Sequence, residues 1–400
     1  MNVLYLDATT GLYGASRVLL TLLRNLDRAA ISPYAVLAND VDDGDTRLVR
    51  ELRAARVPVM LYPLAVLRRN KYLNPRGAAF LARATVRSTR MAVRLIRKYS
   101  IDVVHTNTST VLTGALAARA AGVPHVWHVH EIFRPSDARV FPPLLDALAT
   151  RVVTVSNAAA RSLLEQRPSL AGKVTVVRNG VDPAPFRTVS PDEVERVRRE
   201  WGASPGGRLV GMVGRIGMWK GENDFLRVAA LVREHAPGTR FAIVGGTFDR
   251  RDYLLDALRE KAAAMGLGDS VVVAGLRQDM PAVMNALDVL VHLPDRPEPF
   301  GLAPAEAMAA GKPVVAAGQG ALAEVVAHGE TGYVVAPGDL EAATEYVTAL
   351  LSDGDLRARM GRAGAERLES EFAVDRLARE FENIYREVVR KGQAAAPAAR

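Results

Sequence analysis

Two glutamates, Glu298 and Glu306, bracket seven residues in the stretch Glu298-Pro-Phe-Gly-Leu-Ala-Pro-Ala-Glu306-Ala-Met-Ala-Ala-Gly311-Lys312-Pro313. Pro304 suits the first turn of a helix, where its missing N–H costs nothing. Gly311 suits the helix stop, and Pro313 prevents continuation. The spacing predicts a short helix from about Ala303 to Ala310. Its free N–H groups, near Gly301, Leu302 and Ala303, form an anion site suited to phosphate. The two carboxylates beside it would repel a diphosphate, so they should address hydroxyls. A ligand with hydroxyls on both sides of a diphosphate is a nucleotide sugar.

Three further constellations carry chemistry. Val213-Gly214-Arg215-Ile-Gly-Met-Trp-Lys220-Gly221 follows a strand. Its glycines make an open turn, and Arg215 and Lys220 supply two cations for a diphosphate, one a planar fork and one a mobile point charge. Asp7-Ala-Thr-Thr-Gly11-Leu-Tyr-Gly14-Ala-Ser-Arg17 follows the first strand. Gly11 and Gly14 there allow a ligand to approach the backbone, although the spacing is not that of a dinucleotide fingerprint. Trp127-His128-Val129-His130-Glu131 closes a strand. Either histidine could hydrogen-bond a sugar or assist proton transfer. On a strand Glu131 opposes the two histidines, and no metal is assigned there.

The elements that must position these groups alternate between strand and helix. Apolar runs read as strands at Val3–Leu6, Tyr34–Leu37, Val57–Leu61, Asp102–His105, His125–Val129, Val152–Val155 and Val174–Val177. After a polar break at Pro183–Gly207 they resume at Leu209–Val213, Phe241–Val244, Val271–Ala274, Val289–His292, Pro313–Ala316 and Tyr333–Val335. Helical stretches separate them, which implies parallel sheets covered on both faces. The expected class is α/β, with two Rossmann-like, doubly wound domains facing each other across a cleft. We expect an N-terminal acceptor domain over 1–182 and a donor domain over 183–373. A helix over 374–391 would cross back to the first, and a disordered tail would span 392–400.

Composition narrows the setting. The 400-residue chain suits two domains, and it has no cysteine, which excludes disulfides and thiolate chemistry. No apolar run is long enough to span a bilayer. Met1 leads straight into an apolar strand, so no signal peptide is expected, and the expected location is cytoplasmic. From Arg53 to Ile101 there are 12 Lys or Arg and no Asp or Glu; of 52 basic residues in all, 40 stand elsewhere against 44 acidic ones. Arg83, Arg87, Arg90, Arg94 and Arg97 fall on one face of a helix over about Gly77–Tyr99, with Phe80, Ala84, Met91 and Leu95 forming another stripe. That face reads as a solvated surface or as a contact for anionic lipid on the inner face of a membrane. Nucleic acid is not expected, since no recognition module accompanies the charge.

These residues resemble the retaining glycosyltransferases of family 4, which have the GT-B fold. The likeness rests on Glu298 to Glu306, on Gly214, Arg215, Lys220 and Gly221, and on Val155-Ser156, Asn179-Gly180-Val181-Asp182, Gly275, and Glu324 through Gly332-Tyr333-Val334. It covers the chain to about Tyr385 and is strongest in the second half. The resemblance implies that Arg215 and Lys220 stabilise the leaving diphosphate. Glu298 would contact the transferred sugar and Glu306 the ribose, with His130 near the anomeric carbon. It also implies donor contacts at Gly11, Gly14, Gly214, Gly275, Phe300, Gly301, Leu302 and Ala303. The N-terminal loop departs from the commoner family pattern, because Gly11 and Gly14 are separated and Ser16 stands where many members have Glu. Front-face transfer with retention would follow, with no metal and no cofactor. The acceptor would be a glycan, a lipid-linked sugar or a small molecule. Alternatives of other classes are a non-hydrolysing nucleotide-sugar epimerase and a non-catalytic nucleotide-sugar binder. A glycoside phosphorylase or sucrose-type synthase is a close chemical relative.

Overall fold

The computed structural model describes residues 1–39, 44–67, 75–217, 219–247 and 251–395. The chain forms two compact units. The first joins Met1–Gly180 to the segment from Val374 onward; the second is Val181–Ala373.

The first unit is built on seven parallel strands: β1 (Asn2–Asp7), β2 (Ser32–Ala38), β3 (Val59–Tyr62), β4 (Val103–Thr106), β5 (His125–Val129), β6 (Arg151–Thr154) and β7 (Val174–Val176). Their order is β3-β2-β1-β4-β5-β6-β7. Every residue of β4 and β5 is buried, as is all of β1 after Asn2. Such strands read as unbroken apolar runs because helices cover both faces of the sheet. The order reverses between β1 and β4, so the connections leaving those two strands diverge to opposite faces and leave an opening at their carboxyl ends.

The helix Pro75–Lys98 sets Ser88, Ala92, Leu95 and Ile96 into this unit. Those positions recur at helical spacing and define the core face. Arg83, Arg87, Arg90, Arg94 and Arg97 are all exposed. The apolar stripe expected from the sequence is only partly buried: Leu95 is in the core, but Phe80 is 55% exposed.

The helix Val374–Ala395 belongs to the first unit. Phe381 and Tyr385 are fully buried, with the Phe381 ring 5.2 Å from that of His105 and 4.8 Å from that of His128. Tyr385 Oη lies 2.7 Å from His105 Nδ1, and Glu382 accepts the Asp27 N–H at 2.9 Å. The helix continues past Gly392, where the sequence suggests that a disordered tail begins; residues 396–400 lie outside the described residues.

The second unit has six parallel strands: β8 (Leu209–Val213), β9 (Arg240–Val244), β10 (Val271–Gly275), β11 (Val289–His292), β12 (Val314–Ala317) and β13 (Gly332–Val335). Their order is β10-β9-β8-β11-β12-β13, with the reversal between β8 and β11. The polar stretch 183–207 is folded into this unit. It carries the helices Ala184–Arg187 and Pro191–Glu200, and it buries Phe186, Val197 and Trp201. Ser190 caps the second helix in a reciprocal box with Glu193.

Phe381→Ala should destabilise the first unit by about 3–5 kcal/mol, the range for a buried aromatic truncation. Amide hydrogen exchange along β4 and β5 should accelerate accordingly. Unchanged protection there would show that the last helix contributes nothing to this core.

Candidate active site

Each unit gathers its polar residues where its strand order reverses. In the second unit the loop after β8 carries Gly214–Gly221, and the loop after β11 leads to Glu298. Gly221 has φ +85°, and a β-carbon there would sit 1.7 Å from the carbonyl oxygen of Leu293. Only glycine lets the two loops touch at that point. Glu222, the next residue, accepts the Gly217 N–H at 2.7 Å and ties the loop to the helix Glu222–His235.

That approach brings Lys220 onto Glu298. Lys220 Nζ lies 2.6 Å from Glu298 Oε2, and His292 Nε2 is 3.5 Å from the same oxygen. The aliphatic stem of Lys220 crosses over Gly214. Glu298 is 8% exposed. Burial by itself raises its carboxyl, but His292 and the Lys220 ammonium outweigh burial and bring it down to about 2. Burial pushes the His292 imidazole below its ordinary value, against the pull of Glu298. The backbone of Glu298 is seated by Gly320, whose φ is +69° and whose β-carbon would fall 2.3 Å from the Glu298 carbonyl oxygen. Ala321 N–H donates to that same carbonyl at 2.8 Å.

The helix after Glu298 runs Leu302–Ala309, with Gly301 at its N-cap in left-handed backbone (φ +102°). No side chain caps this end, so its first N–H groups remain available for an anion. Glu306 lies one turn in and is 3% exposed. Phe300 is turned into the core, its ring 5.6 Å from that of Phe372. It could therefore meet a ligand only through its backbone. Arg215 follows Gly214 and is half-buried, and Gly275 ends β10 in left-handed backbone.

In the first unit the reversal lies between β1 and β4, and three side chains meet there. Asp7 ends β1, Asn107 follows β4 and His130 follows β5. Asn107 Nδ2 donates to Asp7 Oδ2 at 2.6 Å, and Asn107 Oδ1 lies 3.1 Å from His130 Nε2. Asp7 Oδ1 takes the Thr9 N–H at 3.1 Å and the Ser16 hydroxyl at 3.2 Å. Burial lifts the Asp7 carboxyl to about 6, only partly offset by these neutral donors. Beside this chain, Glu131 accepts from Thr108 Oγ1 at 2.9 Å and from the His130 N–H at 2.9 Å. His128 is fully buried against Phe381, its ring 4.0 Å from that of His130, and burial holds it neutral. Gly14 begins the helix Gly14–Asn25, and Gly11 packs against the Tyr13 ring.

The sequence reading therefore names most of the residues at the two openings and misses their partners. It treats Lys220 and Glu298 as separate actors on separate ligand groups, and the structure makes them an ion pair. Ser16, a departure from the family pattern, serves Asp7. Asp7 itself had a signal, a carboxylate ending an apolar strand. Asn107, His292 and Gly320 had none, because their roles come from strands or loops distant in sequence.

Known proteins share the fold and much of the sequence. The family model described as glycosyl transferases group 1 matches residues 193–367, and that described as glycosyltransferase family 4 matches residues 13–185. The chain is 31% identical over 306 residues to the 2-deoxystreptamine glucosyltransferase of Streptomyces kanamyceticus, covering 72% of this chain and 77% of that one. It is 30% identical over 353 residues to the alpha-maltose-1-phosphate synthase of Mycolicibacterium smegmatis, covering 78% and 89%. Among solved structures it superposes on Anabaena HepE in complex with UDP-glucose with a TM-score of 0.81 and 26% identity, covering 97% of this chain and all of that one.

The Lys220–Glu298 pair has a measurable signature. The depressed Glu298 pKa contributes stability above its ordinary value of 4.5, and that contribution is lost as pH falls from there toward 2. Lys220→Met leaves the buried carboxylate without its cation and should cost the second unit about 3 kcal/mol at pH 7. The deficit should shrink as pH falls and close toward pH 2, where the neutral carboxyl no longer needs a partner. Denaturant titrations across that range give the test; a deficit constant with pH would contradict the pairing.

Proposed function

Because the chain belongs to glycosyltransferase family 4 and is a glycosyltransferase of the GT-B type, we propose that it transfers a sugar from a nucleoside-diphosphate donor with retention of anomeric configuration and without a metal. The observation that carries this reading is the Lys220–Glu298 pair, which stands beside the uncapped helix end at Gly301. Lys220 and Arg215 bring two cations on the loop after β8 to the charge of a diphosphate. The helix N–H groups add a second anion site without mobile charge. Such preorganised charge stabilises a leaving group where charge develops.

In the proposed step the bond from the anomeric carbon to the diphosphate oxygen breaks. A bond to the acceptor oxygen forms on the same face. The acceptor proton passes to the departing diphosphate, so no protein base is required. Lys220 and Arg215 stabilise the leaving group, and the second oxygen of Glu298 accepts a sugar hydroxyl. Glu306 accepts from the ribose. His130 meets the transferred sugar. The UDP-glucose complex of the Anabaena relative makes UDP-glucose the first donor to try.

For the acceptor we propose a glycan, a lipid-linked sugar or a small molecule, with envelope or polysaccharide synthesis as the setting. No helix among the described residues is long and apolar enough to cross a membrane. A peripheral site on the cytoplasmic face of a membrane is suggested by the five exposed arginines of the helix Pro75–Lys98. At helical periodicity Phe80 and Val86 flank the arginine stripe, and they are 55% and 49% exposed. Basic side chains bordered by apolar ones suit anionic headgroups over acyl chains.

Glu306→Ala should weaken donor binding by about 10- to 100-fold, the worth of a charged hydrogen bond to a hydroxyl. Thermal shift against a panel of nucleotide sugars measures it, and unchanged binding and turnover would refute the assignment. Proton NMR of the product should show the donor's anomeric configuration. Turnover should withstand a chelator; loss that Mg²⁺ restores would refute metal independence. Vesicles containing anionic lipid should float the protein in a salt-sensitive manner, and equal recovery with neutral vesicles would exclude the docking face.

A further inference from the structure

The amide of Asn107 has only one orientation that satisfies its neighbours. Its Nδ2 lies 2.6 Å from Asp7 Oδ2 and 3.1 Å from the Ala15 carbonyl oxygen. A backbone carbonyl can only accept, so the nitrogen must face it, and the carboxylate oxygen sits on the same side. Flipping the amide would set its oxygen against both acceptors. Asn107 is fully buried, so no water could relieve that clash.

The consequence passes to His130. Asn107 Oδ1 lies 3.1 Å from His130 Nε2 and can only accept. The imidazole must therefore carry its proton on Nε2. Desolvation holds the ring below its ordinary pKa, so at neutral pH it has a single proton. That leaves Nδ1 as a bare lone pair. A second contact fixes the backbone: the His130 N–H donates to Glu131, which Thr108 in turn holds at 2.9 Å. Two consecutive residues after β4 thus grip two consecutive residues after β5.

We propose that Asn107 is a positioning residue that locks His130 as its Nε2–H tautomer, so that Nδ1 serves as a hydrogen-bond acceptor for one hydroxyl of the transferred sugar. The proposal rests on the reading that His130 meets that sugar. It assigns His130 to recognition of a hydroxyl hydrogen and removes it as a proton donor in the neutral enzyme. Asp7 anchors the lock. One of its oxygens holds Asn107, and the other is held by the Thr9 N–H and the Ser16 hydroxyl. The loop after β1 therefore acts on the sugar indirectly.

Long-range proton–nitrogen NMR on full-length protein labelled at histidine reads the tautomer directly. His130→Gln assigns the signals. The wild type should show a protonated Nε2 and an unprotonated Nδ1; the opposite pattern overturns the proposal whatever the activity. Asn107→Leu should give a tautomer mixture and lower kcat by roughly 10- to 100-fold, with donor KM little changed. If this variant does not fold, the tautomer of the wild type alone decides the proposal. If His130→Gln leaves turnover and donor KM intact, the reading of His130 at the sugar fails, and the NMR result still decides the tautomer.

Discussion

A carboxylate withdrawn from water must be met by donors or by a cation, and the mouths of both sheets are organised around that requirement. Asp7 and Glu298 are both nearly inaccessible. The first is met by neutral N–H and O–H groups, which do not repay its desolvation, and its carboxyl stays at about 6. The second is met by an ammonium, and its carboxyl drops to about 2. One opening thus holds a carboxylate within a rigid array of neutral donors, while the other holds a paired charge. Neutral acceptors suit the recognition of sugar hydroxyls, and fixed charge suits a departing diphosphate.

Backbone sterics make these meetings possible. A parallel sheet delivers its loops to one edge, and the reversal of strand order separates neighbouring loops. In the second unit the loops approach most tightly where side chains are absent, at Gly221 over Leu293 and at Gly320 beneath Glu298. A methyl group at either position would part a cation or a carboxylate from its place without touching either charged side chain. The glycines of this site do not merely make room for a ligand. They set the distance between protein charges.

Much of the architecture was legible in the sequence because parallel strands buried on both faces are written as local apolar runs. Val289-Leu290-Val291 and Val152-Val153 could hardly be anything else, and the helix after Glu298 announced itself through Pro304 and Gly311. What was not legible is what depends on strand order. Nothing local says that β1 lies beside β4, and so nothing in Thr106-Asn107-Thr108 marks Asn107 as the partner of a residue 100 positions earlier. Lys220 and Glu298, 78 positions apart, were each recognisable by motif, but their pairing was not. The arginine stripe was legible as a helix face, whereas the exposure of Phe80 was not, because tertiary packing decides which end of an apolar stripe is covered.

The helix Val374–Ala395 has a consequence for biosynthesis. It supplies Phe381 and Tyr385 to the core of the first unit, yet all of the second unit is made before it. Elongation at about 5–20 residues per second would take roughly 10–40 s to traverse that insertion. Throughout that interval the nascent first sheet lacks one of its covers, leaving Tyr5, His105 and His128 open to water or to a chaperone. The second unit, contiguous in sequence, can close while it waits. The first unit is therefore begun before the second in synthesis and completed after it.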